Sequence, residues 1–155
     1  MNNLYQRLIE YSLRIISKKS YTELEIIKKL DSFCKRRSLD GSTVIEKVID
    51  RLNELKYLDD ARFIQNYTND RINFAPRGKR LIRMELIKRG ISKESLEKEF
   101  GRIEIDECEL AKNLAAKYAR KLEGLDKNKF RQRMFGFLGR KGFSPDTIYK
   151  VLTRC

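Results

Sequence analysis

The sequence predicts an all-α protein built as an elongated array of three tandem three-helix repeats. Three observations predict it. Apolar residues recur at three- and four-residue spacing along nearly the whole chain, with no convincing two-residue alternation. Helix-start and helix-stop signals punctuate the chain at short intervals, and the only prolines, Pro76 and Pro145, fall where a helix would break or begin. A stretch near residue 90 is echoed 52 residues later.

The first helix carries Leu4, Leu8, Tyr11, Ile15 and Ile16 on one face and ends at Lys18-Lys19-Ser20. Thr22 and Glu25 then form a capping box, in which hydroxyl and carboxylate each satisfy a free backbone N–H, flanked by Tyr21 and Ile26 at staple positions. Ser20 with Glu23 is a rival box without the staple. The second helix buries Ile26, Ile27, Leu30 and Phe33. After a polar loop, a box of Thr43 with Glu46 opens the third, which turns Val44, Ile45, Val48, Ile49, Leu52 and Leu55 inward.

Tyr57-Leu58-Asp59-Asp60 leads into a fourth helix with Phe63, Ile64 and Tyr67 inward; either Asp59 or Asp60 is its N-cap. That helix stops before Pro76, because proline steers the preceding residue away from helix. The fifth spans about Gly78 to Arg89 with Leu81, Ile82, Leu86 and Ile87 inward, and Gly90 is placed for a left-handed cap. Ser92 caps the sixth, which carries Leu96 and Phe100. The seventh starts near Asp106 and carries Leu110, Leu114, Tyr118 and Leu122. The eighth holds Phe130, Met134, Phe137 and Leu138 and ends at Gly142; Ser144-Pro145 opens the ninth, with Ile148 and Leu152 inward. Short helices seldom stand alone in water, so packing between them must supply their stability.

Leu86, Gly90, Ile91, Ser92, Glu94 and Leu96 correspond, 52 residues on, to Leu138, Gly142, Phe143, Ser144, Asp146 and Ile148. Core residue, cap glycine, staple, N-cap and next core residue coincide, as one repeated helix–turn–helix corner requires. The first third aligns less well. The predicted repeats are residues 1–57, 58–103 and 104–155. Each unit of such an array leans on its neighbours.

The chain is strongly basic. Its 155 residues hold 35 Lys and Arg against 22 Asp and Glu, a net charge of +13. Such a surface attracts polyanions, with an attraction that weakens steeply with salt. No run of about 18 apolar residues exists to span a bilayer. Met1-Asn-Asn-Leu-Tyr-Gln lacks the basic start and apolar stretch of a signal peptide, and Cys34, Cys108 and Cys155 are scattered and odd in number. These features predict a reducing, cytoplasmic setting. With no histidine and no paired cysteines, neither a zinc site nor histidine acid–base chemistry is expected; the reading is a non-enzyme without metal or cofactor. Asp59-Asp60 could hold a metal in an enzyme reading, but capping explains the pair more simply.

The positive charge concentrates in two stretches. Arg77 to Arg102 includes Arg77, Lys79, Arg80 and Arg83, diluted by four glutamates; Lys117 to Lys141 includes Lys129, Arg131, Arg133, Arg140 and Lys141, with only Glu123 and Asp126 as acids. Those nine residues are the predicted contact surface for a nucleoprotein partner. Lys129, Arg133 and Arg140 lie roughly along one side of the eighth helix. The third helix of each unit, the obvious candidate for a groove, carries no Asn/Arg cluster of recognition-helix type, so binding to single- or double-stranded DNA is expected to be electrostatic rather than sequence-specific. Arginine also pairs with carboxylates, so composition alone does not separate phosphate from an acidic protein. Nothing demands a dimer, and a monomer is expected.

The ordered blocks resemble a known family. Tyr11-Ser-Leu-Arg14-Ile-Ile with Thr22-x-x-Glu25-Ile26-x-x-Lys29-Leu30 resembles the opening of the RecX regulators of the recombinase RecA. Leu55-Lys-Tyr57-Leu58-Asp59-Asp60-x-Arg62-Phe63, followed by Tyr67 and Arg71, is similar to their most recognisable block, and Gly78-x-x-Leu81-Ile82-x-x-Glu85-Leu86-x-x-Arg89-Gly90-Ile91 to the next. Ser12, Ile26 and Ile64 depart from the usual pattern. The resemblance implies tandem three-helix repeats and binding along RecA–DNA filaments. It also implies inhibition of filament growth, strand exchange, ATP hydrolysis and co-protease activity, in DNA repair and the SOS response. The competing reading is a stand-alone basic helical DNA-binding protein that acts independently of RecA. Within the motif, Tyr57, Leu58, Asp59, Asp60, Phe63, Gly90 and Gly142 have expected structural roles, with Tyr57 and Phe63 sealing the junction between repeats.

Overall fold

In the computed structural model, which describes residues 2–154 and the side chains of 3–153, helices follow one another without a strand among the described residues. They are α1 (Asn2–Ile16), α2 (Glu23–Lys35), α3 (Ser42–Glu54), α4 (Asp60–Asn73), α5 (Lys79–Lys88), α6 (Lys93–Phe100), α7 (Glu107–Ala119), α8 (Lys127–Arg140) and α9 (Pro145–Arg154). A 3-10 turn, Arg120–Leu122, continues α7. Cys155 lies outside the described residues; Cys34 and Cys108 are free thiols. Among the described residues no helix is long and apolar enough to cross a membrane.

The chain divides into two compact bodies, residues 1–64 with 87–97, and residues 65–86 with 98–155. In the first, α1, α2 and α3 pack on one another around Leu8, Ile26, Leu30, Val48 and Leu52, all fully buried. In the second, α7, α8 and α9 pack around Ala111, Met134, Leu138, Phe143 and Ile148. Helices α4, α5 and α6 contribute residues to both bodies.

The start of α2 is built as its sequence predicts. Thr22 Oγ1 accepts the N–H of Glu25 at 3.2 Å, and Glu25 Oε2 accepts the N–H of Thr22 at 3.0 Å. Such a cap contributes about 1 kcal/mol. The start of α3 corrects the prediction. Its N-cap is Gly41, with no side-chain cap; Asp40 Oδ1 instead takes the N–H and hydroxyl of Ser42 at 3.2 and 3.0 Å. Leu55 and Ile87, expected inward, are exposed. Leu55 follows the end of α3, and Ile87 sits in the last turn of α5, where the apolar stripe has already turned from the core.

One joint is made twice. Gly90 and Gly142 both adopt left-handed φ, +93° and +92°, which glycine alone adopts without a steric cost. In the first body, the Thr22 hydroxyl donates to the carbonyl of Arg89 at 2.6 Å, and Leu24 lies where a Cβ on Gly90 would project. In the second body, the N–H of Gly78 donates to the carbonyl of Lys141 at 2.7 Å, and Leu81 lies where a Cβ on Gly142 would project. Each time, the start of one repeat's second helix grips the glycine corner of the next repeat. The nearest neighbour is the unit of stability in such an array.

The first joint carries an ion pair. Glu25 receives Arg89 through Nε at 2.7 Å and Nη2 at 3.2 Å, while the Arg89 guanidinium lies 4.6 Å from the centroid of Phe63. Burial pushes the Glu25 carboxyl up. The bonds from Arg89 and Thr22 and the charges of Arg89 and Lys19 outweigh it, so its pKa lies below the usual glutamate range. A carboxylate depressed in the folded state adds stability above its unfolded pKa and gives it up as pH falls through the folded pKa. Unfolding midpoints should therefore fall on acidification into and below the ordinary glutamate range. In Glu25→Gln that acid-dependent part should shrink while the unfolding free energy at pH 7 drops, by on the order of 1–2 kcal/mol for a partly exposed pair. Chemical denaturation at pH 3, 5 and 7 measures both.

Candidate functional site

The acidic turn before α4 serves the fold. Asp59 Oδ1 accepts the N–H of Arg62 at 3.1 Å and so caps α4. Asp60 Oδ1 reaches instead to the N–H of Glu23, at 3.1 Å, and ties α4 to the first turn of α2. Burial raises the Asp60 carboxyl; the Glu23 N–H pulls it down, but the charges of Glu23, Asp59 and Glu25 push it further up. No group of His, Cys, Asp or Glu side chains that could hold a metal gathers among the described residues. Leu58 and Phe63 are buried in the first body, whereas Tyr57 is 51% exposed and seals nothing comparable.

The nine predicted cations divide by what surrounds them. Arg77 is paired with Glu85, which also receives the Tyr67 hydroxyl at 2.8 Å and lies 3.7 Å from Arg71 Nε. Its charge is largely neutralised within the second body. The Arg83 guanidinium lies over Phe100 at 5.1 Å. The backbone N–H of Lys79 donates to Glu107 at 2.7 Å. The side chains of Arg77 and Arg83 are thus engaged, whereas Lys79 makes its contact through the backbone.

Arg80 and Arg140, sixty residues apart in sequence, line one open cleft of the second body. Arg80 Nη2 donates to the carbonyl of Gly139 at 3.3 Å, and the Arg140 guanidinium folds back over Gly136. Leu81, Met84, Phe135, Gly136, Gly139 and Gly142 complete the lining. Met84 is 54% exposed, and Tyr149, tilted against Phe135 at 5.5 Å, is 55% exposed. Lys129, Arg131 and Arg133 are exposed on α8, and Lys129 and Arg133 lie away from the buried Met134 and Leu138. Only Lys129 approaches an acid, Asp126 at 4.0 Å, and both side chains are largely in solvent. Lys141 reaches over Phe137 at 5.8 Å.

A second cationic cluster escaped the sequence reading. In the first body, Arg7 and Arg14 of α1 and Arg36 and Arg37 after α2 surround Tyr11 and Phe33. The linear charge runs hide it, because two of the four arginines lie in α1 and two just after α2. The available signal was the seven-residue spacing of Arg7 and Arg14, which puts them on one helix face.

Capped three-helix corners in tandem, carrying cations on exposed helix faces, define an all-α helical-repeat protein. Residues 59–98 match the RecX second three-helix domain, and residues 104–152 the RecX third three-helix domain. The regulatory protein RecX of Finegoldia magna is 34% identical over 148 residues, spanning 92% of this chain and 68% of that one. The regulatory protein RecX of Salmonella typhimurium is 31% identical over 155 residues, spanning 95% of this chain and 90% of that one. The crystal structure of RecX from Lactobacillus salivarius superposes with a TM-score of 0.87 at 21% identity, over 99% of this chain and 97% of that one, a likeness of fold. The chain belongs to the RecX family, a family of regulatory proteins rather than of enzymes.

Proposed function

We propose that this protein binds the filament that a RecA-type recombinase forms on DNA and inhibits it, lowering strand exchange, ATP hydrolysis and co-protease activity in DNA repair and the SOS response. The observation that carries this reading is the meeting of Arg80 and Arg140 on one cleft, beside the exposed cations of α8. A cleft that takes one arginine from each charge run supports a contact surface for a large polyanionic assembly. Membership of the RecX family supports a RecA-type recombinase as the partner. We take the repeats as residues 1–57, 58–103 and 104–155, and the contact surface as Lys79, Arg80, Lys129, Arg131, Arg133, Arg140 and Lys141. Arg77 and Arg83 contribute less, because Glu85 and Phe100 already occupy them. DNA contact is electrostatic and non-specific, whether the DNA is single- or double-stranded.

The physical mechanism is differential affinity. A bound protein shifts an assembly only by preferring one of its states. A cationic chain lodged between recombinase protomers and DNA phosphates prefers the arrested state. A titration of DNA-dependent ATP hydrolysis by a purified RecA recombinase tests it. Inhibition is expected well below one copy per recombinase protomer and should persist when free DNA is added in excess. Inhibition that excess DNA abolishes would point to simple coating of DNA, the stand-alone reading.

A further inference from the structure

The arginine cluster of the first repeat has a chemistry of its own. The Arg37 guanidinium lies 3.8 Å from the Phe33 centroid and donates to the Phe33 carbonyl at 3.2 Å. Arg7 lies over the same ring at 5.7 Å, and Arg14 over Tyr11 at 5.5 Å, while the two rings meet at 5.0 Å, tilted by 42°. Arg36 Nε reaches back to the Ser32 carbonyl at 3.3 Å. Glu10 is the one acid lining this open cleft, and among the described residues none of the four arginines makes an ion pair. Four like charges are thus gathered and left unneutralised. Stacking on the rings pre-orients planar forks that match oxyanions, at little entropic cost on binding.

From this we infer that the α1–α2 cleft binds the phosphodiester backbone of a single nucleic-acid strand. The arrangement favours a strand over an acidic peptide. A strand carries a phosphate on every nucleotide whatever its sequence, so each guanidinium of the cluster can meet one, and cations beside an aromatic ring are the combination that holds single strands. Tyr11, half-buried beside the buried ring of Phe33, adds apolar surface for a sugar or base edge. The inference is independent of the recombinase, and its test uses none.

The measurement is fluorescence anisotropy of labelled oligothymidylate with the full chain across a salt series. In Arg14→Gln/Arg36→Gln, two exposed positions outside the core, affinity should fall about tenfold and the log–log salt slope should lose about 1–2 of its magnitude, at ~0.7 per contact for single strands. Unchanged affinity and slope would overturn the assignment. So would oligoglutamate of equal length displacing the oligonucleotide equally well. The unsubstituted chain gives a second reading that no folding defect can confuse: oligothymidylate should protect Arg7, Arg14, Arg36 and Arg37 from phenylglyoxal, mapped by mass spectrometry. Equal modification with and without it refutes the site. Either failure leaves the ATP-hydrolysis titration untouched, so the two readings fall separately.

Discussion

Gly142→Ala is expected to lower stability by about 3–5 kcal/mol, the sum of backbone strain and overpacking. At residue 142 the backbone has φ +92°, where an L-residue is strained before any neighbour is considered. The new methyl would also project into Leu81, whose backbone nitrogen lies 2.7 Å away. A backbone atom inside a helix cannot swing aside as a side-chain tip can. The expected drop in melting temperature is on the order of 10 °C for a chain of this length. Gly78→Ala isolates the steric part. It meets the other side of the same joint, with Phe143 N at 2.7 Å and the Gly142 carbonyl closer still, and its backbone is not left-handed. Gly139→Ala is the control. Nothing lies within 4 Å of that position in α8, so alanine should stabilise by roughly 0.5–1 kcal/mol through helix propensity. Equal melting of Gly142→Ala and the parent would show that the corner is not a joint under constraint.

Arg131→Glu/Arg133→Glu/Arg140→Glu should weaken binding to a recombinase–DNA filament by about 2–3 kcal/mol, or ~30–150-fold, at physiological salt. All three side chains are exposed, and none is ion-paired among the described residues, so reversal removes no internal partner. Helicity and melting temperature should stay within the error of the parent. The loss should be greatest at low salt, where exposed charges are least screened. Sedimentation of the filament at about 50 and about 200 mM salt, a range over which phosphate contacts change strongly in strength, reads both. Undiminished binding at either salt would remove α8 from the contact surface. The matching reversal at Arg77 is a poor test of binding, because it places two carboxylates against each other at Glu85 and threatens the fold first.

The helix corners were legible in the sequence because their signals are local. A hydroxyl and a carboxylate three residues apart wrote the Thr22–Glu25 box, and a shift of 52 residues exposed Gly90 and Gly142 as one device used twice. Thr43 misled because capping residues are abundant in loops; Asp40, two residues before Ser42, bonded to it first. The core of the last repeat was read from large side chains, yet its fully buried position on α7 is Ala111, with Ala115 nearly so. Helices that approach closely need small residues, and an apolar tally gives those little weight. Phe74, in the break before Pro76, is 83% exposed.

The candidate site was legible only where charge was contiguous. The α8 cations stood out as a run. The neutralisation of Arg77 did not, because its partner Glu85 lies eight residues away across the break before α5. The cluster of Arg7, Arg14, Arg36 and Arg37 did not either, because only the packing of α1 on α2 assembles it. Pairing across helices is tertiary information, and a one-dimensional count of lysines and arginines carries none.

The first body is discontinuous: residues 87–97 complete what residues 1–64 begin. On a ribosome, α1, α2 and α3 emerge and pack first, but Thr22 and Leu24 wait for Arg89 and Gly90 before their end of α2 is covered. By then residues 65–86 have been extruded as a loop whose own glycine corner, at Gly142, has not yet been translated. Nascent chains stalled a few dozen codons beyond Glu97 should therefore hold a protease-resistant amino-terminal body from which that loop is cleaved. Full-length chains held on the ribosome through an added carboxy-terminal linker long enough to clear the exit tunnel should protect it.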